Sequence, residues 1–143
     1  MTRRVACMVT ITGEYEGDLH CNAQHGPSGS RLATDAPKDN QGRGEAFSPT
    51  DLVATAYGTC IVTTMAIAAR ARGVELRGVR FEVTKEMSTQ PPRRIARLAT
   101  KIWVPLERTE ELGRSLEAAA HGCPVHRTLD AAVERPIEFV WGA

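Results

Sequence analysis

Aromatic residues make up only 5% of this 143-residue chain: two Trp, two Tyr and three Phe. A core built here rests on aliphatic and small side chains. The chain shows no charge excess either. Eighteen Lys and Arg against 17 Asp and Glu leave a formal net charge of +1, which gives no electrostatic reason to expect a nucleic-acid or membrane partner. No unbroken run approaches the roughly 18 apolar residues of a membrane span. The opening MTRRVACMVT has two Arg but no apolar stretch of signal-peptide length, so a cytoplasmic location is expected. Internal repeats and low-complexity tracts are absent. So is any Cys-x-x-Cys, the paired spacing of a structural zinc site. In a reducing compartment, four Cys point to core, catalytic or metal-binding thiols rather than a disulfide framework.

What is present suits one domain over residues 1–143, with 42% apolar and 24% charged residues. Val5, Cys7, Val9 and Ile11 alternate with Ala6, Met8, Thr10 and Thr12, the pattern of a strand with one apolar face. Gly13–Gly17 reads as a turn. Leu19, Cys21 and Ala23 share a face of a second strand, and residues 31–37 suit a third. A polar, Gly-rich loop covers 38–47. Residues 48–73 read as one long helix: Ser48 can cap it, Pro49 suits its first turn, and Gly73 suits its stop. Its apolar positions recur at i, i+4 in a band too wide for a single sheet to cover, so a second subunit is expected. A hairpin is expected over 74–104. Two helices follow, over 107–121 and 124–133, then a closing strand at Ile137, Phe139 and Trp141. The order βββ-α-ββ-αα-β segregates strands from helices and argues an α+β fold with antiparallel sheets.

The four thiols differ in setting. Cys7 and Cys21 lie on apolar strand faces and read as core residues, since free Cys behaves as a small hydrophobe. Cys60 lies mid-helix among hydroxyls (Tyr57, Thr59, Thr63, Thr64) that could hydrogen-bond a thiolate or a peroxide oxygen; core packing is the plainer reading. Cys123 precedes Pro124 in HGCPVH (121–126), which makes it a candidate helix N-cap. A thiol at a helix start is expected to have a lowered pKa. One reading of HGCPVH is a metal site using His121, Cys123 and His126. Another pairs Cys60 with Cys123, 63 positions later, as the sheltered and the mobile thiol of a peroxide-reducing couple.

SPTDLVATAYGTCIVTTMAI (48–67) and HGCPVHRTL (121–129) together resemble the OsmC/organic hydroperoxide resistance superfamily. Its members carry an Asn/Ser-Pro-x-x-Leu helix start, a Cys about ten residues on, and a later Cys-Pro that opens a helix. The resemblance spans nearly the whole chain. It implies an intertwined homodimer with antiparallel sheets around long central helices. The implied activity is a cysteine-based thiol peroxidase that reduces organic hydroperoxides, and hydrogen peroxide as a further substrate, in oxidative or osmotic stress defence. Cys60 would be the peroxidatic thiol and Cys123 the resolving one. The reductant would be an external dithiol, such as a lipoyl group, with no metal or organic cofactor. The chain departs from the pattern where the family holds its thiolate with an Arg–Glu pair. Thr50 stands at the Glu position, with Asp51 one step on and rotated by about 100°. Arg31 and Arg43 are the upstream candidates for that Arg. Arg43 and Glu45 could form a substitute pair, or belong to a solvated loop. The alternative function is therefore an OsmC-like ligand-binding or redox-sensing module with little turnover.

Overall fold

The computed structural model describes residues 6–143, which form two compact units, the first ending at Thr50 and the second running from Asp51 to Ala143. In the first unit, β1 (Ile11–Gly17), β2 (His20–His25) and β3 (Arg31–Asp35) form an antiparallel meander in the order β1-β2-β3. The first strand lies later than the alternation at 5–11 suggests. Val5 lies outside the described residues, while Cys7, Met8 and Val9 are exposed and outside any strand. The segment read as a turn, Gly13–Gly17, is strand. The reversal falls instead at Gly17, Asp18 and Leu19, with φ of 92°, 52° and 60°. Successive positive φ values give the tight hairpin turn whose twist suits the flanking strands. Gly13 stays in the strand because the backbones meet closely there: a Cβ would lie 2.6 Å from the Asn22 carbonyl oxygen.

Asp35, 2% exposed, organises the rest of this unit. Its Oδ1 lies 2.5 Å from His20 Nδ1, across the β2–β3 pairing. Its Oδ2 accepts from the Glu45 amide at 3.0 Å, and its own amide donates to the Phe47 carbonyl at 3.1 Å. These bonds fasten both ends of the loop after β3, which contains a short 3₁₀ turn at Lys38–Asn40. A buried carboxylate is tolerated only with such partners. The His20 hydrogen bond, opposed by burial and helped by the Glu45 amide, holds the Asp35 carboxyl below the usual aspartate value.

The second unit is built on α1 (Pro49–Arg70), which starts at the boundary. β4 (Arg80–Met87) and β5 (Ile95–Val104) form the expected hairpin. α2 (Glu110–His121) and α3 (Pro124–Thr128) carry the chain back, and β6 (Ile137–Trp141) then pairs with β5. That last pairing is parallel, so this sheet is mixed rather than antiparallel throughout. A parallel neighbour needs a crossover of a dozen or more residues, and the α2–α3 segment supplies it. Thr109 Oγ1 caps α2 by accepting from the Leu112 amide at 3.2 Å. α3 ends at Thr128, short of the expected 133.

Tyr57, Ile61, Met65 and Ala69 form the fully buried stripe of α1, in one cluster with Leu98, Ile102 and Val104 of β5 and Leu116 and Ala120 of α2. α1 does have the length and composition of a membrane span, with mean hydropathy 1.7 over its most apolar 18 residues. Thr and Gly interrupt its apolar runs, which is why no unbroken stretch signals this in the sequence. At Gly58 the sheet comes close: a Cβ would lie 2.5 Å from the Phe81 ring and 2.9 Å from Val83 Cγ2.

Two outcomes are expected. Gly58→Ala, which by helix propensity alone would gain about 1 kcal/mol, should instead destabilise by about 1–3 kcal/mol through overpacking, read from the denaturant midpoint. Asp35→Asn should also lower that midpoint at pH 7. The native Asp35 pKa is depressed, so its contribution is complete above the unfolded value of about 3.9 and is lost as pH falls through the lower native value. The difference between wild type and Asp35→Asn should therefore shrink when the titration is repeated near pH 3.

Candidate functional site

α1 places Cys60 at the edge of its buried stripe, one position before Ile61, so the thiol is half-buried. The turn after α2 places Cys123 in the core with no exposure. Cys60 packs against the buried cluster that contains Cys123, and its side chain helps to raise the Cys123 pKa. The fold thus brings together the two thiols that the sequence separates by 63 positions. Their environments are the reverse of the expected ones, however: Cys123 is the sheltered thiol and Cys60 the more open one.

Cys123 is the N-cap of α3, with Pro124 at the first helical position, and its Sγ accepts from the His126 amide at 3.3 Å. The expected lowering of its pKa does not follow. Burial pushes the Cys123 thiol up, the Cys60 side chain adds to that, and the two amide hydrogen bonds from His126 and Val125 only partly oppose it. α3 has five residues, too short to carry a full macrodipole, so desolvation of the thiolate wins.

The hydroxyls around Cys60 are engaged elsewhere. Thr64 Oγ1 donates to the Cys60 carbonyl at 2.8 Å, and Thr59 Oγ1 donates to the Thr55 carbonyl at 2.8 Å. These are the back-bonds threonine makes inside helices. Tyr57 is fully buried and its hydroxyl meets His126 Nδ1 at 3.3 Å. The phenol is pushed up to about 12, by burial first and the nearby Cys123 second, against an opposing pull from Arg135.

His126 and Arg135 carry no motif of their own, yet they complete this cluster. Arg135 Nη1 donates to the His126 carbonyl, and Arg135 Nε donates to the Val133 carbonyl at 3.1 Å. His121 meets the His126 ring edge-on, with centroids 6.2 Å apart. Burial lowers the His126 pKa, and the positive charges of Arg135, His121 and Arg127 lower it further. The only advance signal for His126 was its place in HGCPVH; Arg135 gave none. Among the described residues, no group of three or more His, Cys, Asp or Glu is arranged to hold a metal ion.

The supporting residues fall as follows. Arg31 opens β3, opposite Gln24, and is exposed. Arg43 and Glu45 are exposed in the loop after β3, and no ion pair joins them among the described residues. The charge of Arg43 acts on Asp35, and Glu45 contributes its backbone amide to the same carboxylate. Thr50 Oγ1 lies 3.1 Å from Ser48 Oγ. Asp51, one step on, forms an ion pair with Lys85 Nζ at 2.7 Å, with Lys85 only 15% exposed.

The family model for OsmC-like proteins matches residues 42–137. Among solved structures, a Psychrobacter arcticus 273-4 protein described as an osmotic stress induced and detoxification response protein is 35% identical. The match covers 96% of this chain and 99% of that one, with a TM-score of 0.87. An organic hydroperoxide resistance protein OsmC from Legionella pneumophila (16% identity, 96% and 99% covered, TM-score 0.77) shares the fold. So does an OsmC-like protein from Mycoplasma pneumoniae (18%, 97% and 100%, 0.75). No curated protein matches.

The burial pattern sets an order of thiol reactivity. Iodoacetamide at neutral pH should label exposed Cys7 while Cys123 stays unmodified until denaturant is added. Peptide mass spectrometry reads this directly, and labelling of Cys123 at the rate of Cys7 would contradict the buried, raised-pKa setting.

Proposed function

The chain belongs to the OsmC-like family, and on that premise we propose that it is a thiol peroxidase acting on organic hydroperoxides, with hydrogen peroxide as a further substrate. The observation that carries this reading is that Cys60 packs against the buried cluster that contains Cys123, with its side chain helping to raise the Cys123 pKa. The organic hydroperoxide resistance proteins that share the fold support a stress-related redox role. Cys60, the more accessible thiol, attacks the distal peroxide oxygen as thiolate. The S–O bond forms, the O–O bond breaks, and the alkoxide takes a proton to leave as alcohol. The sulfur is now a sulfenic acid. Cys123 attacks it, the S–S bond forms, and hydroxide leaves with a proton as water. An external dithiol then returns both cysteines to thiols by two exchange steps. Neither metal nor organic cofactor is required by this scheme, which suits a reducing cytoplasm.

A homodimer belongs to the same reading. Met8, Ile11, Tyr15, Phe47 and Ile67 are between 55% and 88% exposed, a large apolar area for a chain with so few aromatic residues. A second copy would cover such surface. A single dimer-sized species in sedimentation is the expected result.

One observation favours a second reading. Thr50 replaces the acid that the resemblance implies, and Asp51 is paired with Lys85. A chain whose helix-start acid is engaged by a lysine could bind or sense small electrophiles with little turnover. Cumene hydroperoxide consumption with dithiothreitol as reductant separates the two. As a peroxidase, the protein should exceed the rate of free thiol at equal concentration, and Cys60→Ser should fall to background. Cys123→Ser should still form a trappable sulfenic acid but no intramolecular disulfide. Full activity in Cys60→Ser would overturn the mechanism.

A further inference from the structure

The turn that presents Cys123 is held from several sides. Its Sγ accepts from the His126 amide at 3.3 Å. The His126 side chain meets the Tyr57 hydroxyl of α1 through Nδ1, also at 3.3 Å. The His126 carbonyl lies in the last turn of α3, where a five-residue helix has no donors left to offer it. Arg135 takes that carbonyl. Its Nη1 donates to the His126 oxygen, and its Nε donates to the Val133 oxygen at 3.1 Å. The residues on either side of Arg135 are fixed to β5. The Glu134 amide donates to the Ala96 carbonyl at 2.9 Å, the Leu98 amide to the Glu134 carbonyl at 2.8 Å, and the Thr100 amide to the Pro136 carbonyl at 2.9 Å. Arg135 is half-buried, and both of these side-chain donors serve backbone carbonyls rather than a carboxylate.

We propose that Arg135 is a positioning residue for Cys123: by bridging the His126 and Val133 carbonyls, it ties α3 to β5 and keeps the His126 amide on the Cys123 sulfur. The inference rests on reading Cys60 and Cys123 as an exchanging pair. The amide and the carbonyl of His126 are joined through one Cα, so a grip on the carbonyl limits how far the amide can turn. The amide matters because a sulfur that loses its proton here gains charge away from water, and an N–H already aimed at it needs no reorganisation. Burial disfavours that charge, and the amide partly offsets the burial. Arg suits the place better than Lys. Two of its nitrogens reach separate carbonyls in a planar fork, which one ammonium on a flexible stem does not reproduce. The titratable and charged groups around the sulfur are Cys60 and Tyr57 of α1, His121 of α2, His126 and Arg127 of α3, and Arg135 itself. The charge of Arg135 acts on Tyr57 and His126; its action on Cys123 runs through the backbone.

Thiol exchange tests this apart from peroxide chemistry. In a Cys7→Ser/Cys21→Ser background, dithiodipyridine should react first at Cys60, in a reagent-dependent phase that releases one thiopyridone. Cys123 should then attack the Cys60 sulfur of the mixed disulfide. The bond between the two cysteine sulfurs forms, the bond to the pyridyl sulfur breaks, and a second thiopyridone leaves with the Cys123 proton. This second phase should be independent of reagent concentration and should rise with pH. Arg135→Gln should slow it about threefold or more at neutral pH, since a smaller thiolate fraction is only partly offset by greater nucleophilicity. The first phase should keep the parent's rate. The deficit should narrow as pH is raised, because the thiolate then forms without the amide's help. Arg135→Lys, which keeps the charge but not the two-carbonyl bridge, should fall between the two, and it carries the same comparison if Arg135→Gln does not fold. In the parent, the His126 amide resonance should move with pH in step with the second phase. An unchanged second phase would overturn the role of Arg135, and so would a deficit equal at every pH, which misplacement alone would give. Complete recovery in Arg135→Lys would overturn the bridge in favour of charge. A His126 amide indifferent to that pH change would overturn its contact with the thiolate. Absence of the second phase in the parent would overturn the exchanging pair and this inference with it. A second phase that responds to Arg135→Gln in a protein that reduces no peroxide would instead overturn the peroxidase reading and leave the role of Arg135 standing.

Discussion

Tyr57, Ile61 and Met65 are shielded completely along one face of α1, and β5 and the α2–α3 turn are arranged around that face. Burying an aliphatic side chain of this size contributes about 1.5–3 kcal/mol relative to exposure. The stripe thereby fixes the rotation of the helix, and rotation decides where Cys60 goes. One position before Ile61, it falls at the margin of the core. Tyr57, one turn earlier, points fully inward. The Gly58 approach to Phe81 and Val83 holds the same rotation from the sheet side. A turn of the helix by even one residue position would put Thr59 or Ile61 where Cys60 now packs against that core.

From that geometry follows the inequality of the two thiols. The position of Cys123 at a helix start argues for a stabilised thiolate, and both amides that such a position offers are present. They are outweighed because the same chain segment closes the core, and desolvation acts on the whole charge while a five-residue helix offers little dipole. Cys60 is therefore the thiol open to solutes, while Cys123 is sealed and favoured in its neutral form. Such a division suits a pair in which one sulfur meets a reagent and the other acts only on its neighbour.

Much of this was legible in the sequence, and the illegible parts share a cause. The order of elements, the extent of α1 and the N-cap at Cys123-Pro124 are local properties of period and punctuation, so single stretches reveal them. β1 was misplaced because apolar alternation at 5–11 outranked the polar ITGEYEG that forms the strand; its partner is set by pairing with β2, not by its own pattern. The parallel entry of β6 depends on how long the α2–α3 crossover is and where it returns. Tyr57 meets His126 only after the chain has folded back over 69 positions, and Arg135 reaches the His126 carbonyl from nine positions on only through the turn before β6. Asp35 gave no signal because an isolated Asp in a polar stretch reads as surface, and only the β2–β3 register sets it against His20.

The acids near the start of α1 bear on what the site can do. Asp51 is held by Lys85, and Asp35 is held by His20 and the Glu45 amide within its own unit. Each carboxylate is a structural fastener, tying a helix start to a strand or a loop to a sheet. A carboxylate already engaged by a lysine is a poor partner for orienting a separate guanidinium beside a thiolate, because both cations would draw on the same lone pairs. The buried side of the thiol pair, by contrast, has a hydroxyl, an imidazole and a guanidinium in sequence around it. Among the described residues, the polar side chains of this part of the second unit gather on the Cys123 side of the pair.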